Sequence, residues 1–582
     1  MNKSVFIHKN LCFSICFVFL ALLSCKQESP RLNLDYSEEI RLNQTGFYPQ
    51  LPKKAVVTTD REGGSFYLVS VEDNNTVFTG TLTRPTSGKG TLIADFSEFR
   101  GEGQFVLNVP EIGSSGPFVI GDQVFEELGK GAIKAFYYNR VSVELEERHA
   151  GIWARPAGHP DDQVQVHASA ASTERPEGTV LSMPKGWYDA GDYNKYIVNS
   201  GITMGTLLSL YEDFPAYFSS QELNIPESGN AVPDLLDEVL WNLKWMIKMQ
   251  DPHDGGVYHK LTAAKFEGLI MPHEAQSTRY VVAKSTAATL DFTAVMTQAS
   301  RVYRDFYPDM AIECLKAAET AWIWAKNNPE VLYEQNEMNQ KFTPAIETGA
   351  YGNRQLDDEW LWAASELYIS THNTEYLEYI PAPESFELPN WGNVRWLGYY
   401  SLLRFREELK NLPSELIGQI KHQLIQQAEE YTTSAASTDY QVVMGHKDSD
   451  FVWGSNSVAA NQGIALLQAY LLVGEEKYLA NALGNLDYIL GRNATGYSYV
   501  TGFGHKTPQD PHHRPSGAEP DKAPVPGFVV GGPNPGQQDG CDYTSSIPAE
   551  SYVDDYCSYA SNEVAINWNA PFAYLANALE AI

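Results

Sequence analysis

The sequence predicts a mainly α-helical protein in which a large helical domain follows a small β-sandwich. Two patterns predict this fold. Short apolar runs between turn residues extend to about residue 120, and from about residue 125 onward apolar residues recur with helical spacing. The chain has 582 residues, 43% of them hydrophobic, which is enough to form more than one hydrophobic core.

An export signal is predicted ahead of both domains. Lys3 and Lys9 precede an apolar run over residues 11–23, which is shorter than the roughly 20 residues that a membrane-spanning helix needs. The run ends in Leu22-Leu23-Ser24-Cys25, which resembles a bacterial lipobox. We therefore expect residues 1–24 to be a lipoprotein signal peptide, with an ordinary cleaved signal as the alternative.

The lipobox pattern implies a membrane anchor. Cys25 would carry the lipid at the start of the mature chain, and residues 25–37 would link it to the first domain. Lys26 rather than an aspartate follows the cysteine, so we expect an exported outer-membrane lipoprotein that faces the periplasm or the cell surface. The membrane would be a partner only through this lipid.

Residues 38–122 are predicted to form the β-sandwich. Their apolar runs have the length of strands and alternate with polar turn segments. The runs cover residues 55–57, 66–69, 91–94 and 105–107. Several strands at this spacing within about 85 residues are typical of one small sandwich domain.

The second domain, residues 125–582, is predicted to be a ring of helices. Residues 232–250 place apolar side chains at helical intervals, and eight later segments do the same. These segments are residues 284–305, 309–327, 358–371, 393–409, 414–434, 456–473, 475–490 and 563–581. No motif recurs at a period of roughly 30–50 residues, so a closed ring of hairpins is favoured over a solenoid.

One long loop interrupts the helices. Between Gly502 and Gly540, 16 of 39 residues are Gly or Pro, which excludes a regular helix, and a loop of this length is usually functional. Cys541 and Cys557 follow it in an exported protein, so we predict a disulfide between them. Cys314 lies in a helical pattern and is predicted to be a buried free thiol.

The charge balance excludes one class of partner. The chain carries 42 Lys and Arg against 73 Asp and Glu, a net charge of −31. A nucleic acid needs clustered basic residues, which this chain lacks, so no nucleic-acid partner is expected. A neutral or cationic ligand is compatible with the charge, and 12 Trp and 33 Tyr provide aromatic surfaces for it.

Two acidic motifs indicate acid–base chemistry. Asp189 and Asp192 are separated by Ala-Gly in a turn flanked by aromatic residues, where both carboxylates can face one water, proton or metal. A surface turn or a calcium loop is the structural alternative. Asn562 is predicted to cap the last helix, with Glu563 in its first turn. The helix dipole would lower the pKa of Glu563, whereas burial beside aromatic residues would raise it.

A third motif supplies hydrogen-bond donors. Pro511-His512-His513-Arg514 lies in the Gly- and Pro-rich loop, and in an extended stretch His512 and Arg514 share a face. Both side chains suit the hydroxyl groups of a ligand. A buried histidine and a structural arginine that pin the loop are the alternative.

Taken together, these motifs resemble glycoside hydrolase family 9, whose members are chiefly cellulases. The similarity extends from about residue 130 to the C-terminus, and the sandwich resembles the immunoglobulin-like domain that precedes many such catalytic domains. The resemblance implies an α/α toroid of six α-hairpins. The similar segments are residues 189–192 (base motif), 498–514 (histidine signature), 552–570 (acidic signature), 234–238, 255–260, 362–368 and 453–456.

The resemblance also implies a mechanism. Family 9 enzymes invert the anomeric centre, with Glu563 matching the general acid, Asp192 the general base, and Asp189 a residue that helps to hold the water. In an inverting enzyme the two carboxyl groups stand roughly 6.5–9.5 Å apart to leave room for that water. We predict this separation between Glu563 and Asp192.

Further residues are expected to contact the sugar. His512, Arg514 and His259 match substrate-binding positions of the family, and tryptophans are expected to stack on pyranose faces. For Asp554 the alternative is a role in organising the loop, and for Trp391 it is core packing. The expected contacts are His259, Trp453, His512, Arg514, Asp554 and Trp568, with Trp391 as a further stacking candidate.

A structural calcium ion is also implied, because many family members bind one. Thr348, Asp358 and Glu359 lie in the matching region, and their oxygen atoms are the ligands that calcium prefers. Acidic residues at a helix start are the alternative. No cofactor is expected for the chemistry itself.

The expected function is therefore an inverting endo-β-1,4-glucanase acting on a β-glucan, whether cellulose-like, mixed-linkage or xyloglucan. An exo-acting β-glucosaminidase of the same family is the enzymatic alternative. A non-catalytic surface lipoprotein that binds glycans is the alternative from another class. The presence of Asp189, Asp192 and Glu563 together argues against a protein that only binds.

Overall fold

The computed structural model describes Met1 and residues 34–85 and 90–582. The predicted signal peptide, Cys25 and most of the linker at residues 25–37 lie outside the described residues. In the part of the chain that is described, no helix combines the length and the apolar character needed to cross a bilayer.

The N-terminal domain is a sandwich of two sheets, as predicted. One sheet has the order β1-β3-β6, and the other has the order β2-β9-β7-β4-β5 with β8 paired to β7. Alternate residues of β4 and β7 bury Phe66, Leu68, Phe105 and Leu107 in the core. The strands are β1 (Ile40–Arg41), β2 (Gly46–Phe47), β3 (Lys54–Thr58), β4 (Gly64–Ser70), β5 (Thr76–Leu82), β6 (Thr91–Asp95), β7 (Gly103–Val109), β8 (Gly113–Ser114) and β9 (Phe118–Ile120).

The second domain confirms the helical ring. The helices are α1 (Glu126–Tyr138), α2 (Glu147–Ala150), α3 (Ile197–Asp213), α4 (Pro215–Phe218), α5 (Asp234–Lys248), α6 (Thr286–Val302), α7 (Pro308–Asn327), α8 (Gln335–Lys341), α9 (Asp357–Thr371), α10 (Arg395–Arg404), α11 (Ser414–Ala435), α12 (Ser455–Val473), α13 (Glu476–Ile489), α14 (Arg514–Gly517) and α15 (Ile566–Ala581). Contacts run from α3 through α6, α9, α10, α11, α12 and α15 and return to α3, so the circuit closes.

A small sheet in the helical domain was not expected from the sequence. It comprises β10 (Val164–Val166), β11 (Val180–Leu181), β12 (Lys195–Tyr196), β13 (Lys260–Ala263) and β14 (Arg279–Val281), in the order β11-β10-β14-β13-β12. Strands of two to four residues are too short to show an alternating pattern. The sheet is important for the site because it places Lys260 opposite Tyr196.

The sandwich is attached to the ring through buried polar contacts. Gln44 accepts hydrogen bonds from the backbone N–H groups of His505 and Lys506, at 3.0 and 2.9 Å, and donates to the carbonyl oxygen of Gly496 at 2.8 Å. Asn43 Nδ2 donates to Asp487 Oδ1 at 2.8 Å. The sandwich therefore supports the chain segment that leads into the Gly- and Pro-rich loop.

Candidate active site

The Asp189–Asp192 turn lies immediately before β12 and α3. The backbone N–H of Asp189 donates to the carbonyl oxygen of Asn194 at 3.1 Å, which closes the turn. Gly191 is required because a Cβ at this position would overlap the carbonyl oxygen of His512. The close approach brings the loop that carries His512 directly against the acidic turn.

Asp189 is fully engaged in hydrogen bonds. Its Oδ1 accepts from Asn199 Nδ2 at 2.6 Å, and its Oδ2 accepts from the Tyr351 hydroxyl at 2.9 Å. Burial, followed by the negative charge of Asp192, raises the pKa of Asp189 well above its ordinary value. Asp189 thus lies in the site as a fixed, fully hydrogen-bonded carboxyl group.

Asp192 differs from Asp189 because one of its oxygens has no partner. Its Oδ2 accepts from Asn194 Nδ2 and from the Tyr196 hydroxyl, the latter at 3.0 Å. Its Oδ1 is buried and has no hydrogen-bond partner among the described residues. Asp192 lines the cavity, and an oxygen that no protein donor occupies suits a proton acceptor.

Glu563 does not open the last helix, so that expectation is wrong. Residues 563–565 are extended and form isolated β-bridges with residues 512, 530 and 190, and α15 begins at Ile566. The backbone N–H of Ile566 donates to the carbonyl oxygen of Asp189 at 2.8 Å, so the acidic turn takes part in the helix start. Long-range pairing therefore replaces the predicted cap at Asn562.

Burial decides the protonation of Glu563. Burial is the largest cause that raises its pKa well above the ordinary value, and the negative charge of Asp192 adds to it. Arg514 opposes this effect with its positive charge. A carboxyl group that stays protonated near neutral pH is suited to donate a proton to a leaving oxygen.

The three acids face one cavity of about 920 Å³. This volume lies near the upper end of the roughly 300–1,000 Å³ typical of ligand pockets, so the cavity is large enough for more than a single sugar ring. Of the predicted substrate contacts, the cavity wall contains Trp391, Trp453, His512, Arg514 and Trp568. Trp453 is 43% exposed at the cavity and lies 5.4 Å from the ring of Tyr559.

His512 and Arg514 have structural roles in addition to facing the cavity. His512 Nδ1 hydrogen-bonds to the carbonyl oxygen of Tyr556 at 2.6 Å, and the ring stacks on Tyr556. Arg514 donates to the carbonyl oxygens of Gly191, at 2.7 Å, and Glu267, at 2.9 Å. Both side chains thus hold loops of the site in place as they line it.

Comparison with known proteins identifies the fold family. A model of glycosyl hydrolase family 9 matches residues 125–576, and a model of the cellulase N-terminal ig-like domain matches residues 35–114. The chain belongs to glycosyl hydrolase family 9. It is therefore a glycoside hydrolase, and enzymes of this family need no cofactor for catalysis.

Similar proteins match this family 9 chain over nearly its whole length. A xyloglucan-specific endo-β-1,4-glucanase of Bacteroides ovatus is 48% identical over 564 residues, covering 95% of this chain and 96% of that protein. Endoglucanase D of Acetivibrio thermocellus is 34% identical over 553 residues, covering 93% of this chain and 83% of that protein. A solved structure of a Bacteroides ovatus GH9 protein has a TM-score of 0.89 and 46% identity, covering 94% of this chain and 99% of that chain.

Two of the predicted substrate contacts, His259 and Asp554, do not line the cavity of the family 9 site. His259 is fully buried, hydrogen-bonds to Ser285 Oγ and the Ala350 carbonyl oxygen, each at 2.8 Å, and stacks on Tyr333. Burial lowers the pKa of His259 to about 3, so it is a neutral ring that supports the segment before Tyr351.

Asp554 also has a structural role instead of a sugar-binding one. Its carboxylate accepts from the backbone N–H groups of Gln509 and Asp510, at 2.8 and 3.0 Å, and from Asn562 Nδ2 at 3.1 Å. These contacts tie the histidine segment to the segment that carries Glu563. The prediction of a substrate contact is wrong here, and the alternative of a loop-organising residue holds.

The prediction that Thr348 is a calcium ligand is also wrong. Its Oγ1 accepts a hydrogen bond from Lys260 Nζ at 3.0 Å, and an ammonium group in this position excludes a divalent cation. Asp358 Oδ2 accepts from the backbone N–H of Val394 at 2.7 Å, whereas Glu359 Oε2 is buried without a partner. Among the residues described, no group of three His, Cys, Asp or Glu side chains is arranged to hold a metal ion.

The disulfide between Cys541 and Cys557 is present, with 6.1 Å between the two Cα atoms. It lies one residue from Tyr556, whose carbonyl oxygen bonds His512, and two residues from Tyr559, which lines the cavity. Cys314 is a buried free thiol. The disulfide therefore closes the loop that supports the histidine side of the glycosyl hydrolase cleft.

Several family 9 site residues were missed from the sequence. Asn194, Tyr196 and Asn199 hydrogen-bond to the acidic pair, and all three follow it by no more than ten residues. Polar residues this close to paired carboxylates were a signal that could have found them. Tyr351 and Phe266 lie far away in sequence, and no local pattern connects them to the site.

Proposed function

We propose that this protein is an inverting endo-β-1,4-glucanase. One observation carries the proposal: Glu563, a buried glutamic acid, and Asp192, a carboxyl group with one oxygen free of protein donors, line the same cavity. Glycoside hydrolysis with inversion needs one protonated and one ionised carboxyl group on opposite faces of the sugar.

The steps follow from the two environments. Glu563 donates its proton to the glycosidic oxygen as the bond to the anomeric carbon breaks, and Asp192 Oδ1 accepts a proton from the water that attacks the opposite face. Asp189, fixed by hydrogen bonds from Asn199 and Tyr351, lines the cavity beside Asp192 and helps to hold that water. The separation of roughly 6.5–9.5 Å between the acid and the base stays a prediction of this mechanism.

We propose a xyloglucan-type β-1,4-glucan as the substrate. The proposal is supported by the 48% identity to the Bacteroides ovatus enzyme, which extends over nearly the whole of both chains. It is also supported by the cavity volume and by the half-exposed aromatic side chains of Trp453 and Phe266 at its edge. Aromatic faces suit the C–H surfaces of pyranose rings, and a wide cleft accommodates a branched chain.

A panel of polysaccharides tests both proposals. The mature protein is incubated with xyloglucan, mixed-linkage glucan, carboxymethyl cellulose and chitooligosaccharides, and the products are sized over time. Early release of mixed oligosaccharides from xyloglucan is expected, and proton NMR should show the α-anomer first. Release of single amino sugars alone would favour the exo-acting glucosaminidase, and binding without any product would favour the glycan-binding lipoprotein.

We also propose that the protein is exported and anchored to the outer membrane by a lipid on Cys25. The apolar run and the lipobox-like residues 22–25 support this proposal. Labelling cells with a palmitate analogue should mark the wild-type protein and leave the Cys25→Ser variant unlabelled. Protease treatment of intact cells then separates surface exposure from a periplasmic location.

We also propose a structural calcium ion near Asp358 and Glu359 that is held largely by backbone and water oxygens, since the acidic side chains of the described residues do not by themselves form a metal-binding group. It is supported by Asp291, whose two carboxylate oxygens are buried without partners and whose pKa is raised by burial and by the charge of Asp358. A divalent cation would relieve this repulsion between carboxylates. Calcium should raise the melting temperature of the wild type after chelation, and the Asp291→Asn variant should lose this response.

A further inference from the structure

A buried lysine lies behind the base. Lys260 in β13 pairs in register with Tyr196 in β12, and its side chain is fully buried. Its Nζ donates to Gln335 Oε1 at 2.7 Å, to Thr348 Oγ1 at 3.0 Å and to the Gly349 carbonyl oxygen at 2.6 Å. All of these partners are uncharged. A buried ammonium group held only by neutral oxygens is costly, and this cost calls for a functional reason.

A chain of hydrogen bonds connects this ammonium group to the base. Thr348 Oγ1 lies 2.7 Å from Thr262 Oγ1, whose proton can go to Asn194 Oδ1 at 2.9 Å or to the Ala263 carbonyl oxygen at 2.7 Å. The amide nitrogen of Asn194 then donates to Asp192 Oδ2. Because an ammonium group can only donate, it leaves the Thr348 hydroxyl free to donate onward, and every link can point toward Asp192.

Tyr196 forms a second connection. Lys260 Nζ lies 5.4 Å from the centre of the Tyr196 ring, and the Tyr196 hydroxyl donates to Asp192 Oδ2 at 3.0 Å. A cation over an aromatic ring is attracted to its electrons and draws density from the phenol. The hydroxyl group thereby becomes a stronger donor to the carboxylate.

We infer that Lys260 is a positioning residue for hydrolysis: it directs the donors of Asn194 and Tyr196 onto Asp192 Oδ2 and so keeps Oδ1 free and ionised for the attacking water. The inference rests on the proposed function, in which Asp192 is the base. Hydrogen bonds to a carboxylate favour its ionised form, and a nearby positive charge acts in the same direction.

Other charged and titratable groups also face Asp192. Asp189 and Glu563 oppose its ionisation when they are themselves ionised, and Tyr351 packs against the same acids. His512 faces Asp192 from the other wall, but burial lowers the pKa of this histidine, which keeps the ring neutral. Arg514 is a further cation, and its charge acts on Glu563.

Lys260 carries its positive charge in the pH range in which the base acts. Burial lowers the pKa of Lys260 to about 7, and the negative charge of Asp192 opposes this lowering. The ammonium form therefore persists through the acidic range in which a carboxylate base becomes ionised. The support from Lys260 should be strongest at the acid limb of the pH profile.

The test is the pH dependence of kcat/KM on xyloglucan for the Lys260→Met variant. We expect the acid limb to move upward by about one pH unit, which lowers activity on that limb by about tenfold, with little change in KM. The matched control is Lys195→Met. Lys195 is equally buried but pairs with Asp161 at 2.7 Å, so its removal should leave the position of the acid limb unchanged.

A second variant tests the inference if the Lys260→Met protein does not fold. Thr262→Val has nearly the same shape and breaks the hydrogen-bond chain without removing a charge. It should shift the acid limb in the same direction by a smaller amount. Folded variants whose acid limb stays at the wild-type position would overturn the inference, whereas a wild-type protein without glucanase activity would overturn the proposed function instead.

Discussion

The two walls of the cleft are held in place in different ways. On the base wall, three of the four side chains that hydrogen-bond to Asp189 and Asp192 follow them within ten residues, and Tyr351 is the distant fourth. On the acid wall, backbone bridges join Glu563 to residue 512 and the next residue to residue 530, both in segments far away in sequence. The base is thus built mostly from local contacts, and the acid depends on long-range contacts.

The difference between the two walls predicts which substitutions change the catalytic step and which change the support of the loops. The base wall is a buried turn anchored by the β12 and α3 that follow it, so substitutions there should change the chemistry and leave the loops in place. The acid wall is supported by the loop that the disulfide closes, so changes in that loop should alter how substrate is held before they alter the chemistry. The predictions below test this contrast.

The largest effect is expected from Glu563→Gln. The amide keeps the shape of the side chain but has no acidic proton, and general acid catalysis contributes about 10²–10⁴ to a rate. We expect kcat to fall by this factor while oligosaccharide binding, measured by calorimetry, is retained. Glu319→Gln, on the exposed face of α7, is the control and should keep wild-type activity. An active Glu563→Gln enzyme would show that another group is the acid.

A smaller loss is expected from Asp189→Asn on the base wall. The amide has one acceptor oxygen, so it can accept from Asn199 or from Tyr351 but not from both, and one buried donor loses its present partner. A buried donor without its partner costs about 1–3 kcal/mol, so kcat should fall by roughly 10–100-fold with KM nearly constant. Steady-state kinetics of Asp189→Asn, with the exposed variant Asp162→Asn as the control, measure this fall in kcat. A change confined to KM would contradict the prediction.

The pH profile should show that the acid wall limits activity at high pH. Glu563 works in its protonated form, and burial and the charge of Asp192 raise its pKa. Activity should therefore persist above the range in which an exposed glutamate has lost its proton, then fall by about tenfold per pH unit as pH rises through the raised value. A profile of kcat/KM that falls already near pH 5 would mean that Glu563 is ionised in the free enzyme.

Sequence patterns predicted most of the long helices, including the largely buried α6, α12 and α15, but not α1. Helices such as α7 and α9 agree closely with the segments expected at residues 309–327 and 358–371. α3 was missed, although it follows the catalytic turn directly. Most of its residues are buried, including Asn199 and Thr203, so no polar face alternates with an apolar one.

The acidic residues of the site could be predicted because short motifs contain them, but the contacts that hold these residues in place could not. Glu563 was expected in a helix, since Asn562 is a good cap residue, yet isolated bridges to distant loop segments compete successfully for residues 563–565. His259 and Asp554 were expected to bind sugar because they match family motifs. A motif specifies the residue type that the fold needs at a position, but it does not show whether that side chain faces the ligand or the loop behind it.

The disulfide should affect substrate binding more than catalysis. Cys557 lies next to Tyr556, whose carbonyl oxygen orients His512, and near Tyr559, which packs against Trp453. In the double variant Cys541→Ser/Cys557→Ser we expect KM for xyloglucan to rise several-fold, with kcat largely retained. Loss of a disulfide that closes a loop of 16 residues also costs about 3 kcal/mol in unfolding free energy. Cys314→Ala controls for the loss of a cysteine, and a fall in kcat with constant KM would contradict the contrast between the walls.

The smallest effect on activity is expected at the junction with the sandwich. Gln44→Ala removes the acceptor for two backbone N–H groups and the donor to Gly496, which leaves buried polar groups without partners. Each such group costs about 1–3 kcal/mol, so thermal unfolding should begin several degrees earlier than in the exposed control Thr81→Ala. At low temperature kcat and KM should match the wild type, because Gln44 contacts the start of the loop and not the segment that carries His512. If KM rises instead, the sandwich supports the acid wall directly, and the long-range support of Glu563 extends into the first domain.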